Sequence, residues 1–204
     1  YDSNRYGIEA MLNRMGIECL NLGIIPDDPA QLRDTFMQAA QSADAIITSG
    51  GVSVGEADYT KDLLLELGEV GFWSVAMKPG KPFAYGKIKE KYFFGLPGNP
   101  VSAFVTFSQL VQPVLRKLAG EISVAPLRIP AIAEHNFRSA KNRVDFQRGL
   151  ISVNADGLIT VRSTGAQGSG MFTSLCAANC FVIVEKDVIA GSSVTIELFN
   201  EIVN

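Results

Sequence analysis

Residues 45–58 of the chain read AIITSGGVSVGEAD. The first four residues form a short apolar run, of the kind that a parallel sheet buries on both faces. Glycines, serines and two carboxylates follow, and ligands of open α/β sheets bind at the carboxyl ends of such strands. Glycines let a backbone approach a phosphate closely, and free N–H groups at a helix start favour an anion. The stretch therefore predicts either an anion-binding loop or a tight glycine turn.

The same stretch excludes a P-loop nucleotidase. Gly50 and Gly55 match the outer glycines of that motif. However, Glu56 and Ala57 stand where the motif needs lysine followed by serine or threonine.

Two further loops follow predicted strands and carry similar residues. Residues 78–82 read KPGKP, which holds two ammonium groups in a segment stiffened by proline. Residues 95–100 read GLPGNP, where Asn99 and Pro100 also fit the start of a helix. Taken alone, the first loop is explained by solvated surface lysines and the second by a helix cap. Three such loops at one edge of a sheet would instead converge on a single crevice.

The patterns around these loops predict two domains. Up to about residue 120, helical and strand patterns alternate, with strands at residues 18–23 and 45–48, a hairpin at 83–96 and a long helix at 100–118. This alternation predicts a three-layer α/β/α domain with a mostly parallel sheet. Beyond it, short β-branched runs separated by turn residues predict a small β-barrel or sandwich. The predicted domains are residues 1–121 and 122–204.

Composition narrows the class of protein. The chain has 204 residues, of which 47% are hydrophobic and 19% charged, so it can form a core and is not disordered. Its net charge of −3 offers no positive field for nucleic acid. Prolines and amides interrupt its two long uncharged stretches, which argues against a membrane span. Three cysteines and one histidine, His135, do not form a zinc set, and we expect a reduced, cytoplasmic protein.

Five segments, in order along nearly the whole chain, resemble the molybdopterin molybdotransferase family, which includes MoeA and the E domain of gephyrin. They are SGGVSVGEADYTK at 49–61, KPGKPFAYG at 78–86, GLPGNPVSA at 95–103, DFQRG at 145–149 and QGSG at 167–170. The resemblance implies insertion of molybdate into adenylylated molybdopterin with release of AMP, assisted by a divalent cation such as Mg²⁺. It also implies a cytoplasmic homodimer.

The resemblance covers only the last two of the family's four domains. It begins inside the α/β domain, after that domain's first strand, and continues through a terminal β-barrel. We therefore expect the isolated chain to fold but not to insert molybdenum efficiently.

The resemblance assigns roles to individual residues. It implies catalytic roles for Asp27, Asp58, Lys78 and Lys81, with Asp27 and Asp58 also holding the cation. The implied substrate-binding residues are Ser49, Gly50, Gly51, Ser53, Gly55, Pro97, Gly98, Asn99, Pro100 and Arg148. Loop N–H groups and lysines would neutralise a diphosphate, and carboxylate oxygens suit a hydrated Mg²⁺.

Two other functions stay open from the sequence. One is the activity of the related molybdopterin adenylyltransferase, which shares the α/β domain but usually lacks a β-rich tail. The adenylyltransferase is also a candidate partner of this chain. A scaffold that binds a peptide, like the gephyrin E domain, is the alternative from another class. The basic cluster at Arg138, Lys141, Arg143 and Arg148 fits a solvated face and a substrate contact equally well.

Overall fold

The structure is a computed structural model that describes residues 2–51, 58–122 and 125–199, with only the backbone described at residues 58–60. The chain divides into two compact units. The first is Tyr1–Val75 with Gly80–Val111, and the second is Ala76–Pro79 with Gln112–Asn204. The predicted domain boundary between residues 121 and 122 stays a prediction, because compact units need not fold independently.

Helices and strands alternate in the first part of the chain, and strands predominate after residue 127. In chain order the described elements are α1 (Ser3–Arg14), α2 (Pro29–Ser42), β1 (Ala45–Ser49), α3 (Asp58–Leu67), β2 (Gly68–Ser74), β3 (Met77–Lys78), β4 (Pro82–Ile88), β5 (Lys91–Leu96), α4 (Pro100–Thr106), a π-helical segment (Phe107–Val111), α5 (Gln112–Leu118), β6 (Arg128–Ala133), β7 (Val144–Val153), β8 (Ile159–Ser163), α6 (Phe172–Cys176), β9 (Cys180–Val184) and β10 (Ser193–Leu198).

The first unit contains a four-stranded sheet in the order β1-β5-β4-β2. Strands β1 and β5 are parallel, whereas β4 pairs antiparallel with both β5 and β2. The predicted α/β domain followed by a β-barrel is confirmed. The expectation of a mostly parallel sheet was wrong in these described strands, because only Lys89 and Glu90 separate β4 from β5, and so short a connection reverses the chain.

Helices α2 and α3 cover one face of this sheet. Phe36 of α2 and Leu64 of α3 pack with Phe93 and Ile88 of the sheet in one buried cluster. The rings of Phe36 and Phe93 meet edge to face, with centroids 5.9 Å apart. Helices α1 and α4 contact each other, and α4 also contacts β5, but neither helix contributes a residue to this cluster.

The strand predicted at residues 18–23 was wrong, since the structure assigns this segment no strand. Its apolar side chains Leu20 and Leu22 are 51% and 42% exposed. Instead of a ladder, the segment is held by Asn21, whose amide donates to Glu9 and accepts from Arg5 of α1. An apolar alternation predicts a strand only where a neighbouring strand edge is available to pair with it.

The long helix predicted at residues 100–118 is confirmed, running through α4, the π-helical segment and α5. The π-helical turn precedes Pro113, and its wider spacing accommodates a residue that lacks the helical N–H. Asn99 occupies the N-cap position, but its side chain makes no capping hydrogen bond, contrary to prediction. Gly120 lies beyond the helix with a φ of 94°.

The second unit contains a closed five-stranded barrel. Its strands follow the order β7-β8-β6-β10-β9, and β9 pairs back with β7 to complete the ring. The ten residues of β7 serve both neighbours, and the pairings meet at Gly149, opposite Ser163 of β8 and Cys180 of β9. A Cβ atom at Gly149 would lie 2.7 Å from Val182 Cγ2, so glycine leaves the room that this junction needs. Of the two predicted β folds, the barrel is therefore correct.

None of the helices in the described residues combines the length and apolar character that crossing a bilayer requires.

The two neighbouring cysteines differ in environment and provide a test of the fold. Cys180 is fully buried in the barrel, and burial raises the pKa of its thiol to about 12. Cys176 is exposed. Because the thiolate is the reactive form, we expect iodoacetamide at pH 8 to alkylate Cys176 at least roughly a hundredfold faster than Cys180 in the folded chain. Mass spectrometry of the labelled peptides would measure this ratio, and equal labelling would contradict the burial of Cys180.

Candidate functional site

Strands β1 and β5 end side by side, so the loops that follow them meet. Ser49 and Leu96 are the last paired residues, and the Gly50 N–H donates to the Leu96 carbonyl oxygen at 3.0 Å. Gly98 approaches so closely that a Cβ atom there would lie 3.9 Å from the Gly50 Cα. The predicted convergence of these two glycine loops is therefore observed. Ser49 and Gly98 are both exposed, as a binding rim requires.

Asn4, near the start of α1, connects the two loops. Its Nδ2 donates to the Ser49 Oγ at 2.7 Å and to the Gly98 carbonyl oxygen at 2.8 Å. The Ser49 hydroxyl also lies 3.5 Å from the Pro97 carbonyl oxygen, which it can donate to. Sequence reasoning missed Asn4, because an asparagine at the start of a helix is commonly a cap. No signal in the sequence joins it to loops 45 and 94 residues away.

Lys81 lies at the same edge of the sheet by a different route. Strand β4 runs opposite to β5, so its first residue, Pro82, lies at the edge where β5 ends, opposite Ser74 at the end of β2. Lys81 directly precedes it, and its carbonyl accepts from the Val75 N–H at 2.8 Å. The side chain is exposed. The part of the third loop that belongs to the first unit, Gly80 and Lys81, thus reaches the predicted edge, although it precedes an antiparallel strand.

Asp27 stands at the start of α2. This helix packs against β1 and ends three residues before that strand begins, which places its start towards the edge where β1 ends. The capping role belongs to Asp28, whose Oδ1 accepts from the Gln31 N–H at 2.8 Å, with Pro29 in the first turn as predicted. Asp27, directly before this capping residue, is exposed.

Part of the predicted site lies outside the described residues. This applies to Ser53 and Gly55 and to the side chain of Asp58, although Asp58 is the first residue of α3. Gly51 is described and has a φ of 71°, in the region that favours glycine. Within residues 2–51, 58–122 and 125–199, no three His, Cys, Asp or Glu side chains gather as a metal cluster.

Lys78 belongs to the second unit, where it forms an ion pair. Its Nζ lies 3.1 Å from Asp145 Oδ2, and the exposed fractions of the two side chains are 44% and 2%. Gln147 Nε2 donates to the same carboxylate oxygen at 3.2 Å. Asp145 is thus a buried carboxylate held by one half-exposed lysine and one amide. It opens the DFQRG segment, but sequence reasoning assigned it no role.

Arg148 is almost completely buried, at 1% exposure. Its Nε donates to Ser174 Oγ and its Nη2 to the Gly168 carbonyl oxygen, each at 3.1 Å. Burial lowers the pKa of this guanidinium. Gln167 bonds both the N–H and the carbonyl of Arg148, which fixes the loop further. These contacts show Arg148 supporting the QGSG loop, and its predicted contact with substrate stays a prediction.

The basic cluster therefore has two parts. Arg148 is inside the barrel, whereas Arg138 and Lys141 line a groove on its surface together with Lys186 and Asp187. In that groove the hydroxyl and N–H of Ser139 donate to Asp187, and these hydrogen bonds lower the pKa of the Asp187 carboxyl. The groove carries charges of both signs, so it has no dominant attraction for an anion.

Comparison with known proteins gives consistent matches over both units. Residues 1–117 match the family model described as "Probable molybdopterin binding domain", and residues 130–199 match the "MoeA C-terminal region (domain IV)". A molybdopterin molybdenumtransferase of Haemophilus influenzae is 48% identical over 99% of this chain and 51% of its own length. Gephyrin of Dictyostelium discoideum is 35% identical over 88% of this chain and 29% of its own length.

A solved structure agrees with these matches. The molybdopterin biosynthesis MoeA protein of Pyrococcus horikoshii superposes with a TM-score of 0.77 at 31% identity, covering 98% of this chain and 48% of that protein. The chain thus spans about half the length, or less, of the relatives that it matches.

Proposed function

We propose, because this chain belongs to the molybdopterin-binding MoeA family, that it binds adenylylated molybdopterin and takes part in inserting molybdate with release of AMP. The observation that carries the proposal is the meeting of two glycine loops at the ends of β1 and β5, fastened by Asn4. The matched barrel at residues 130–199 favours this activity over that of the adenylyltransferase, which usually lacks such a domain.

The exposed residues at this edge suit a phosphorylated ligand. Backbone N–H groups of a glycine loop can approach phosphate oxygens closely, because no Cβ atom intervenes. Lys81 adds a positive charge at the same edge, and lysine binds a phosphate as a compact point charge. The Ser49 hydroxyl, by contrast, is engaged by Asn4. We therefore assign Ser49 to holding the loop, and the N–H groups and Lys81 to holding the anion.

The residues present fit a divalent cation. Mg²⁺ is usually held by one or two carboxylates together with substrate phosphates and water, so a cluster of three protein ligands is not required. Asp27 is an exposed carboxylate directly before Asp28, the N-cap residue of α2. We propose that Asp27 and Asp58 hold Mg²⁺, which when bound would offset negative charge developing on the departing phosphate.

Calorimetric titration tests the proposed function. We expect the chain to bind adenylylated molybdopterin in the presence of Mg²⁺, to bind AMP more weakly, and not to bind GMP at the same concentrations. An apolar peptide of the kind that scaffold proteins bind serves as the competing ligand. Saturable binding of the peptide, with none of the pterin nucleotide, would contradict this proposal and support a scaffold.

Asp58→Asn separates metal binding from helix capping. Asparagine caps a helix about as well as aspartate but lacks the charge that attracts Mg²⁺. We expect the variant to keep its melting temperature and to lose the strengthening of nucleotide binding by Mg²⁺, measured by titration with Mg²⁺ and with EDTA. Asp28→Asn is the matched control, because Asp28 caps α2 and has no proposed metal role. A lower melting temperature with unchanged dependence on Mg²⁺ would show that Asp58 acts only in folding.

We further propose that the protein acts as a cytoplasmic homodimer and receives its substrate from the molybdopterin adenylyltransferase. Family resemblance supports these proposals. Sedimentation velocity of the chain, alone and with the adenylyltransferase, would test both associations.

A further inference from the structure

The protein fixes the carboxamide of Asn4 in one orientation. Nδ2 lies 2.8 Å from the Gly98 carbonyl oxygen and 2.7 Å from the Ser49 Oγ. A carbonyl oxygen can only accept a hydrogen bond, so the amide must present its NH₂ group to Gly98. The position of the other terminal atom, Oδ1, is therefore also determined.

Asn4 Oδ1 is buried and has no hydrogen-bond partner among the described residues. Buried polar side-chain atoms are bonded in the large majority of cases, so an exception needs an explanation. The other unpartnered atom within the described part of the chain, Thr106 Oγ1, belongs to the last residue of α4. Asn4 differs because it lies where two glycine loops meet, in the site proposed above.

We propose that Asn4 contacts the ligand directly, with Oδ1 accepting a hydrogen bond from an N–H or O–H group of the pterin nucleotide. The inference rests on the proposed function and adds a recognition residue to that site. Phosphate oxygens of a bound diphosphate are acceptors and cannot satisfy Oδ1. The partner of Asn4 is therefore an amino group of the adenine or pterin, or a hydroxyl of the ribose, and not the phosphate that the glycine loops and Lys81 attract.

Asparagine is the residue that this arrangement requires. Aspartate would place a second acceptor against the Gly98 carbonyl oxygen, and alanine would supply neither the donor nor the acceptor. A serine side chain would supply one polar atom in place of two. Only a side chain with a donor and an acceptor on one rigid plane can fasten the loops and present an acceptor at the same time.

Side-chain amide NMR tests the inference. In a ¹⁵N-labelled chain, the NH₂ signals of Asn4 are identified by their absence in Asn4→Asp. We expect these signals to shift saturably when adenylylated molybdopterin is added, because Oδ1 and Nδ2 share one conjugated group. The NH₂ signals of Asn21, which is held by Glu9 in the same unit, serve as the matched control and should not move.

Affinity provides the second measurement. We expect Asn4→Ala to weaken binding of the same ligand at least roughly three- to tenfold, because the variant loses the hydrogen bond to the ligand together with the two that fasten the loops. Asn21→Ala should leave binding within twofold. If Asn4→Ala does not fold, the NMR experiment on the native chain still decides the question.

The possible failures are distinguishable. This inference is overturned, and the proposed function is not, if other signals shift saturably while the Asn4 signals stay in place. The same holds if a folded Asn4→Ala variant binds the ligand within twofold of the native chain. Absence of saturable binding by the native chain would overturn the proposed function, and this inference with it.

Discussion

Replacing both Lys78 and Lys81 by alanine is expected to weaken binding of adenylylated molybdopterin by roughly a hundredfold or more. Hydrogen bonds between a charged donor and an anion contribute roughly 1.5–3 kcal/mol each, and about 1.4 kcal/mol corresponds to a factor of ten in affinity. Calorimetry on the double variant and on each single variant would measure the loss. Unchanged affinity in the double variant would show that neither lysine binds the ligand.

The pairing of Lys78 with Asp145 requires a control for folding. Lys78→Ala leaves a carboxylate that is only 2% exposed without its cation, which destabilises the barrel whether or not the lysine binds a ligand. Adding Asp145→Asn removes that unpaired charge. We expect the Lys78→Ala/Asp145→Asn variant to recover thermal stability but not affinity. Recovery of both would mean that Lys78 acts only through the structure of the barrel.

Gly86→Ala is expected to destabilise the first unit by about 3 kcal/mol or more, lowering its melting temperature by roughly 10 °C. A Cβ atom at Gly86 would overlap the Glu69 carbonyl and lie 2.6 Å from the Val70 Cα. Both are backbone atoms of the neighbouring strand β2, so relief requires the two strands to separate. Thermal unfolding followed by circular dichroism would measure the effect.

Gly71→Ala is the matched control in the same pair of strands. A Cβ atom at Gly71 would meet Trp73 Nε1 at 2.8 Å, which is less close than the contacts at Gly86 but still requires the neighbour to move. Trp73 is 61% exposed, however, and its side chain can rotate into solvent. We expect Gly71→Ala to cost less than about 1 kcal/mol. If both variants melt within about 2 °C of each other, the contact at Gly86 is less restrictive than the structure indicates.

Local patterns predicted most elements of this fold. The hairpin of β4 and β5, the long helix at residues 100–118 and the five barrel strands each have their own periodicity and turn residues. The hairpin pattern indicated the antiparallel pairing of β4 with β5, but the antiparallel pairing of β2 with β4 was not available from local patterns, because it depends on which edges pair. The same reason explains the error at residues 18–23, where Leu20 and Leu22 alternate as in a strand but have no ladder partner.

The composition of the loops and their positions at strand ends predicted that the glycine loops after β1 and β5 lie close together, as Gly50 and Gly98 do. The family resemblance supplied the roles, which stay predictions for Asp27, Asp58, Lys78 and Lys81. Asn4 and Asp145 were missed because their partners are 94 and 67 residues away in sequence. A single sequence carries no local signal for hydrogen bonds over such separations.

The division of the chain limits how it can be taken apart. Residues 76–79 belong to the barrel unit, whereas the residues on both sides of them belong to the α/β unit. Strand β3, which pairs with β7, lies in that short excursion. No single cut therefore yields both units whole. A fragment that begins at residue 112 lacks β3, and a fragment that ends at residue 111 contains β3 without its partner strand β7. Separating the two units whole therefore requires joining residues 76–79 to the barrel segment and closing the gap between residues 75 and 80.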